Sequence, residues 1–347
     1  MKKKILVAMS GGVDSSVAAL LLKEQGHDVS GVTMILQEYE PEKERLADVS
    51  DAVQKAKEVC DCLKIDHHVL DCRREFQTEV IKPFLEEYAR GRTPNPCVLC
   101  NRHIKFGRLL NYAAEVDFVG LATGHYAAVM ERENRHCLVR AKDSKKDQTY
   151  FLAHIAVDVL PRLFFPLAHY TKSQVKDIAY SSGLPLNEGK ESQDICFIPP
   201  GMHHDWLHCH LQNIKSGVIV DREGRQLGTH KGIPFYTIGQ RGGLGISHPT
   251  PLYVLDIDAA ENKIVVGEKK ELFQKRLVAK ELNFFRKDWP DKVCAKIRYR
   301  KKESPCRVAF HDHEAHVIFD EEQEAVTPGQ LIVWYDHDEV LGSGVIM

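Results

Sequence analysis

A short glycine-containing loop near the start of the chain constrains the fold more than any other stretch. The loop is Ser10–Ser16, with the sequence SGGVDSS, and it follows an apolar run, Lys4–Met9, that is typical of a β-strand. The residues from Val17 to Lys23 are typical of a helix. A strand, a glycine turn and a helix N-terminus form an anion site, because free amides and the helix dipole face the ligand. We therefore predict a phosphate-binding loop; the alternative is an ordinary tight turn.

The form of the loop narrows the class of ligand. A Walker A loop would carry a lysine before its final Ser or Thr, and this segment has none. The dinucleotide-binding pattern G-x-G-x-x-G does not occur in it either. The segment instead resembles the S-G-G-x-D-S loop of the ATP pyrophosphatases, the PP-loop superfamily, whose members cleave ATP between the α- and β-phosphates. That resemblance implies an enzyme that adenylates an oxygen atom of its substrate and releases pyrophosphate.

Composition sets the broad class of protein. A chain of 347 residues is long enough for two or three domains, and its 43% hydrophobic and 28% charged residues are typical of a soluble globular protein. The basic start carries too few apolar residues for a signal peptide, and no stretch approaches the roughly 20 apolar residues of a membrane span. We therefore expect a cytoplasmic protein without a membrane association, whose ten cysteines are mostly reduced. The net charge of −2 excludes a uniformly basic nucleic-acid binder but allows a local basic patch.

Strand-like and helix-like segments alternate through the first part of the chain. Strand patterns at 28–36 and 66–72 alternate with helix patterns at 46–63 and 74–90. This order predicts an α/β domain with a parallel sheet and ligands at the carboxyl ends of its strands. Met34 lies near such an end, where it can line an adenine pocket or belong to the core.

A later strand pattern, Phe118–Tyr126, ends in a glycine and a histidine. A glycine at a strand end allows close backbone approach by a ligand, so Gly124 is a candidate binding residue. His125 beside it can touch a substrate or simply be packed.

Two cysteines lie in the segment Thr93–Asn101, TPNPCVLCN. Its two prolines predict an ordered loop, with a helix beginning directly after Cys100. A thiol at a helix N-terminus has a lowered pKa and more of the nucleophilic thiolate. The alternative, half of a zinc or iron–sulfur site, needs two further ligands, and the sequence contains no second C-x-x-C. Cys196 lies between apolar residues and can equally be a buried thiol.

The second half of the chain is rich in short β-like runs. Pro199-Pro200-Gly201 predicts a domain boundary. Residues 237–245 form a glycine-rich loop, and the histidines around Cys209 match no standard zinc spacing. From Leu272 to Met347, short strands alternate with turns, which predicts a small antiparallel barrel. Within it, a strand pattern at Lys296–Lys302 puts four basic side chains on one face, as a solvated edge or as a phosphate-contacting stripe.

The motifs match, in order and over nearly the whole chain, those of the tRNA-specific 2-thiouridylases, the MnmA (also TrmU) family. The chain resembles that family at 8–15, 93–101, 124–126, 146–148, 192–197 and 236–244, and again at Val293, Arg298–Arg300 and Pro328–Gln330. The resemblance implies a sulfurtransferase with an adenine nucleotide alpha hydrolase-like PP-loop fold. We predict a PP-loop catalytic domain at 1–200, a small, mainly β central domain at 201–270, and a tRNA-contacting antiparallel β-barrel at 271–347.

The resemblance also implies site residues. Cys100 matches the catalytic nucleophile, and Cys196 matches the persulfide carrier that forms a transient disulfide with it. The ATP-contacting positions are Ala8, Met9, Ser10, Gly11, Gly12, Val13, Asp14, Ser15, Met34 and Gly124. Asn95, Pro96 and Cys97 match positions that meet the target base, and the further tRNA positions are His125, Lys146, Asp147, Gln148, Tyr299, Arg300 and Gln330. Many members carry Asp where this chain has Cys97, so its role differs here, and it can form an alternative disulfide with Cys100.

The implied reaction is ATP-dependent 2-thiolation of the wobble uridine of tRNA. Adenylation turns the C2 oxygen of uracil into part of an AMP leaving group, and a cysteine persulfide supplies the sulfur. The resemblance implies ATP with Mg²⁺, tRNA as substrate, and a persulfide-donating sulfur-relay protein or cysteine desulfurase as partner. Two alternatives remain: another adenylating enzyme such as an amide-forming ligase, which would not need Cys196, and a non-catalytic RNA- or metal-binding protein, against which the intact loop argues.

Overall fold

The computed structural model describes residues 2–37, 49–185 and 195–347. Residues 192–194, part of the motif around Cys196, and the predicted helix start at 46–48 lie outside the described residues. The chain divides into two compact units. The first comprises Met1–Val80, Cys97–Pro199 and Asp338–Val340, and the second comprises Ile81–Pro96, Pro200–His337 and Leu341–Met347. Among the described helices, none combines the length and the apolar character that crossing a membrane requires.

The first unit is built on a parallel sheet, as the sequence predicts. Its strands are β1 (Lys4–Ala8), β2 (Asp28–Ile35), β3 (His67–Asp71) and β4 (Gly120–Ala122), then a hairpin of β5 (Ala127–Arg132) and β6 (Arg135–Arg140), and β7 (Leu163–Phe164). The sheet order is β3-β2-β1-β4-β7, and every neighbouring pair is parallel. The hairpin turns at Glu133 and Asn134, and both residues have positive φ.

Nine α-helical segments occur among the described residues: α1 (Val13–Glu24), α2 (Val49–Leu63), α3 (Arg73–Phe76), α4 (Lys82–Ala89), α5 (Pro96–Leu99), α6 (Leu110–Glu115), α7 (Thr149–Leu152), α8 (Lys172–Ser181) and α9 (His203–His210). Two π-helical segments, Gln77–Ile81 and Cys100–Leu109, and three 3₁₀ segments, Val157–Arg162, Ile233–Phe235 and Lys269–Leu272, complete the helical part. The sequence did not predict α9.

The centre of the parallel sheet positions the predicted phosphate loop. Ile5, Leu6 and Val7 of β1 are fully buried because a parallel sheet is covered on both faces. β1 pairs with β2 on one side and with β4 on the other, and the strand order reverses between β1 and β4. Loops after the two strands at such a switch point open into one crevice. The loops that follow Ala8 and Ala122 therefore lie where an α/β sheet binds its ligands.

The second unit contains two β structures. A four-stranded sheet has β8 (Gly217–Val220), β9 (Gln226–His230), β10 (Tyr253–Asp258) and β11 (Lys263–Gly267) in the order β10-β11-β8-β9. The barrel strands are β12 (Phe273–Phe284), β13 (Val293–Lys296), β14 (Ser304–His311), β15 (Glu314–Glu324), β16 (Leu331–Asp336) and β17 (Glu339–Ile346). β12 pairs with both β15 and β17, which closes the barrel around fully buried side chains such as Trp334. The predicted antiparallel barrel is confirmed.

The predicted strand at Lys296–Lys302 is wrong. β13 ends at Lys296, and the residues that follow form bends and turns. Arg298 accounts for the difference, because its guanidinium donates to the carbonyl of Ala325 at 2.7 Å and to Oγ1 of Thr327 at 2.6 Å. The basic side chains of this segment therefore do not share one strand face.

Candidate active site

The loop after β1 has the backbone geometry of an anion-binding turn. Gly11 has φ +73°, a left-handed conformation that favours glycine, and Gly12 caps α1 without a side-chain hydrogen bond. Oγ of Ser15 and Oγ of Ser16 donate to the Gly12 carbonyl at 3.0 and 2.9 Å, and the amide of Ser10 donates to Oγ of Ser15 at 3.2 Å. The serines thus hold the loop in shape, which leaves the helix N-terminus to attract an anion.

The loop after β4 packs directly on the loop after β1. A Cβ added to Gly124 would lie 2.7 Å from the carbonyl carbon of Asp14 and 2.8 Å from the Ser15 nitrogen. A real Cβ essentially never lies within 3.0 Å of a non-bonded heavy atom, so glycine is the residue that fits at this position. The sequence predicts close approach of a ligand to Gly124, and the structure shows close approach of the loop itself. Met34, at the end of β2, is half-buried and lies at the same carboxyl edge of the sheet.

Asp14 belongs to a polar network that the sequence did not reveal. Nζ of Lys172 lies 2.7 Å from each carboxylate oxygen of Asp14, and the Tyr126 hydroxyl donates to Oδ1 at 2.9 Å. The amide of Tyr126 in turn donates to Oε1 of Gln148 at 2.8 Å. A capping box at Thr171–Gln174 opens α8. No local pattern signals that its first residue pairs with a loop near the start of the chain.

The helix around the C-x-x-C motif begins earlier than predicted. α5 starts at Pro96, where proline is tolerated because the first helical amide needs no partner, and Cys100 opens the π-helical segment that follows. Cys97 and Cys100 are therefore three residues apart on one helical face. Cys100 is buried, and burial raises its pKa, although the charge of Lys105 opposes the shift. The prediction of a lowered pKa for Cys100 is wrong.

Cys196 shares an electrostatic environment with these two thiols. Cys196 is exposed as a residue, yet protein around its sulfur raises its pKa to about 12, and Cys100 and then Cys97 add to the increase. The charge of Lys105 opposes the rise in pKa at all three thiols. Because such charge effects weaken with distance, the three thiols and Lys105 lie within electrostatic range of one another, and we call them the thiol cluster. The three thiols are therefore protonated at neutral pH.

Two residues beside the cluster are held by polar contacts. The buried Asn101 donates from Nδ2 to the carbonyl of Phe151 at 3.0 Å. The two ring nitrogens of His125 lie 2.7 Å from Oγ1 of Thr123 and 3.4 Å from Nζ of Lys105. Burial and the Lys105 charge hold the pKa of His125 well below its usual value, so this imidazole is neutral.

The residues predicted to meet tRNA differ from one another in burial and in hydrogen bonding. Asp147 is buried and accepts from the Thr149 hydroxyl at 2.8 Å, and Gln148 binds the Tyr126 backbone. Lys146, Asn95 and Cys97 are half-buried, while Pro96 is buried. In the second unit, Arg300 is exposed, Tyr299 is half-buried, and Nε2 of Gln330 donates to the Thr93 carbonyl at 2.7 Å.

Within 2–37, 49–185 and 195–347, no group of three or more His, Cys, Asp or Glu side chains is placed to hold an ion. The histidine-rich helix α9 uses its rings for packing: His210 stacks on Trp206 at 3.9 Å between ring centroids, and His204 lies 5.5 Å from Phe235.

Comparison with known proteins identifies the family. The tRNA methyl transferase HUP domain matches residues 3–200, the tRNA methyl transferase PRC-barrel domain 204–268, and the Aminomethyltransferase beta-barrel domain 274–346. The tRNA-specific 2-thiouridylase MnmA 1 of Syntrophus aciditrophicus (strain SB) is 49% identical over 346 residues, which cover 100% of this chain and 93% of that protein. The tRNA-specific 2-thiouridylase MnmA of Clostridium botulinum (strain Alaska E43 / Type E3) is 45% identical over 353 residues, covering 99% and 98%.

Similarity to solved structures is weaker. An NMN synthetase structure from Francisella tularensis is 16% identical, with a TM-score of 0.32 over 53% of this chain and 63% of that one. The sequence relatives, which span the whole chain, decide the assignment. The chain belongs to the tRNA-specific 2-thiouridylase family, whose members are tRNA sulfurtransferases.

Proposed function

We propose that this protein catalyses ATP-dependent 2-thiolation of the wobble uridine of tRNA in the cytoplasm, giving 2-thiouridine, AMP and pyrophosphate. The observation that carries the proposal is that the first unit holds both the PP-loop and a cluster of three thiols. Cys196 belongs to that cluster although it lies far from Cys97 and Cys100 in the sequence. The relatives named as tRNA-specific 2-thiouridylases supply the substrate class.

The first chemical step is adenylation of the substrate. The C2 oxygen of uracil attacks the α-phosphorus of ATP, the bond to the β-phosphate oxygen breaks, and pyrophosphate leaves. The residues Ala8–Ser15, with Met34 and Gly124, bind the nucleotide in this proposal. Asp14 is the one carboxylate of that loop, so a Mg²⁺ ion bound with the triphosphate would take it as a ligand and neutralise phosphate charge.

The second step transfers sulfur. A persulfide-donating sulfur-relay protein or a cysteine desulfurase loads Cys196 with an outer sulfur. In one route Cys100 loses its proton to solvent, its thiolate attacks Sγ of Cys196, and the S–S bond of the persulfide breaks to release hydrosulfide, which displaces AMP from C2. In the other, the outer sulfur attacks C2 first, and Cys100 then cleaves the adduct. Both routes leave a Cys100–Cys196 disulfide, which an external dithiol reduces before the next cycle.

The tRNA must present a base removed from its stack. We propose that Asn95, Pro96 and Cys97 meet the target uridine. The remaining proposed tRNA positions are His125, Lys146, Asp147, Gln148, Tyr299, Arg300 and Gln330. The proposed domain boundaries are 1–200, 201–270 and 271–347. Asp147 and Gln148 accept hydrogen bonds from other residues of this protein. We therefore propose that they hold the tRNA-contacting segment in shape.

The test is to incubate the protein with ATP, bulk tRNA, and cysteine plus a cysteine desulfurase, and to measure 2-thiouridine by mass spectrometry. Cys100→Ser and Cys196→Ser should each abolish product, whereas Cys62→Ser, at an exposed cysteine of α2, should match the unmodified protein. Product at the unmodified rate from either variant would overturn the proposal. Sodium sulfide as the donor separates the two routes, since only the free-sulfide route predicts that it restores thiolation to Cys196→Ser.

A further inference from the structure

Lys172 is held firmly at the first position of α8. The N-cap Thr171 accepts from the Gln174 amide through Oγ1 at 3.3 Å, and Oε1 of Gln174 accepts from the Thr171 amide at 2.9 Å. The Lys172 amide also donates to Oδ2 of Asp143 at 2.9 Å. A capping box and a side-chain anchor on consecutive amides fix the direction from which the lysine side chain leaves the helix.

The lysine side chain reaches the PP-loop from outside it. Its Nζ lies 2.7 Å from both carboxylate oxygens of Asp14, and only 12% of the side chain is exposed, against 34% for Asp14. The hydroxyl of Tyr126 also donates to Asp14, at 2.9 Å, and Nζ lies 6.0 Å from the Tyr126 ring centroid. Asp14 thus has a second donor that can stay in place when Lys172 changes partner.

The loop itself carries no cation. The segment Ala8–Ser16 contains no Lys or Arg, and its single carboxylate would repel a triphosphate unless cations lie between them. A Walker A loop solves the same problem with its own lysine, which reaches the terminal phosphates. An ammonium group with three donors suits phosphate oxygens as well as a carboxylate, so Lys172 can meet this need.

We propose that Lys172 binds the pyrophosphate end of ATP and thereby supplies, from α8, the cation that a Walker A loop carries within itself. In the resting protein Lys172 neutralises Asp14. When ATP binds, Nζ transfers its hydrogen bonds to the β- and γ-phosphate oxygens, while Tyr126 keeps Asp14 in position. The inference rests on the proposed use of ATP, and it adds a binding residue on an element distant in sequence.

The test compares ligands that have or lack the pyrophosphate end. We expect Lys172→Met to weaken the binding of ATP and of inorganic pyrophosphate about 10- to 100-fold in calorimetric titrations, and to leave AMP binding within about twofold. Lys172→Arg should recover part of the ATP affinity because it restores the charge. Lys176→Ala, an exposed lysine one turn further along α8, is the matched control and should change nothing.

Each outcome decides the inference. Unchanged ATP affinity in Lys172→Met, or equal losses for ATP and AMP with a lower melting temperature, would overturn it in favour of a structural ion pair. If the unpaired Asp14 destabilises Lys172→Met, the double variant Asp14→Asn with Lys172→Met removes both charges. The inference is supported if this double variant binds pyrophosphate more weakly than Asp14→Asn alone. An unmodified protein that binds no ATP would overturn the proposed function as well. An unmodified protein that binds ATP but thiolates no tRNA would overturn the proposed function and leave the inference about Lys172 standing.

Discussion

Gly124 and Ser15 lie so close together that no side chain fits between them: a Cβ on Gly124 would be 2.8 Å from the Ser15 nitrogen. This contact locks the loop after β4 onto the loop after β1 at the switch point of the sheet. Backbone is the obstacle on the Ser15 side, so it cannot swing away as the tip of a flexible side chain would. The position of Gly124 therefore sets the shape of the PP-loop.

Gly124→Ala should reduce ATP affinity and stability together. The added methyl group must push apart two packed backbone segments, which costs about 1–3 kcal/mol of unfolding free energy. Urea unfolding and calorimetric ATP titration provide the measurements. Gly242→Ala is the control, because its Cβ would meet nothing within 4 Å and its φ is not in the left-handed region. Undiminished ATP affinity in Gly124→Ala would show that the loop tolerates displacement.

The thiol cluster should react slowly with alkylating agents at neutral pH. Burial raises the pKa of Cys100, and that of Cys196 rises to about 12, so the reactive thiolate is scarce until the pH is strongly alkaline. We expect iodoacetamide to label both more slowly than the exposed Cys62 at pH 7, with rates rising beyond pH 9. Peptide mass spectrometry of a single digest measures the labelling of Cys62, Cys100 and Cys196 together.

Lys105 provides the matching variant for that experiment. Its charge lowers the pKa of Cys97, Cys100 and Cys196, so Lys105→Met should shift the labelling profiles of the cluster to still higher pH. Labelling of Cys62 should be unaffected and serves as the internal control. A plateau of Cys196 labelling already at pH 7 would contradict the protonated cluster.

The architecture could be predicted because its signals are local. Apolar runs separated by glycine turns and amphipathic segments mark the parallel sheet, and short strands with frequent turns mark the barrel. The site was harder to predict from the sequence. Pro96 predicts a loop, but proline also fits the first helical turn. The helix therefore begins at Pro96, and Cys100 is buried within it rather than at its start. The Lys172–Asp14 pair joins distant parts of the chain, so no spacing rule reveals it.

His154 should make stability depend on pH. It is buried, and burial with the charges of Arg102 and then His103 lowers its pKa to about 4. A lowered histidine pKa means that the unfolded chain binds the proton first, so the stabilisation is complete above about pH 6.5 and is lost as the pH falls towards 4. The expected loss over that window is about 3 kcal/mol.

Urea unfolding at pH 7 and pH 5 measures this dependence. His154→Gln stays neutral throughout and should flatten it, whereas His169→Gln, at an exposed histidine of the same unit, should keep the slope of the unmodified protein. Equal slopes in the two variants would show that other groups dominate the titration.

Arg298 and Arg300 should separate folding from RNA binding. Nη2 of Arg298 donates to the carbonyl of Ala325, to Oγ1 of Thr327 and, at 3.4 Å, to the carbonyl of Ile238, so Arg298→Ala should cost about 1–3 kcal/mol of stability. Arg300 is exposed, and Arg300→Ala should cost less stability than Arg298→Ala. In filter-binding titrations at several salt concentrations, we expect Arg300→Ala to weaken tRNA binding and to reduce the salt slope by about one, because one phosphate contact is lost. A salt slope equal to that of the unmodified protein would remove Arg300 from the proposed tRNA surface.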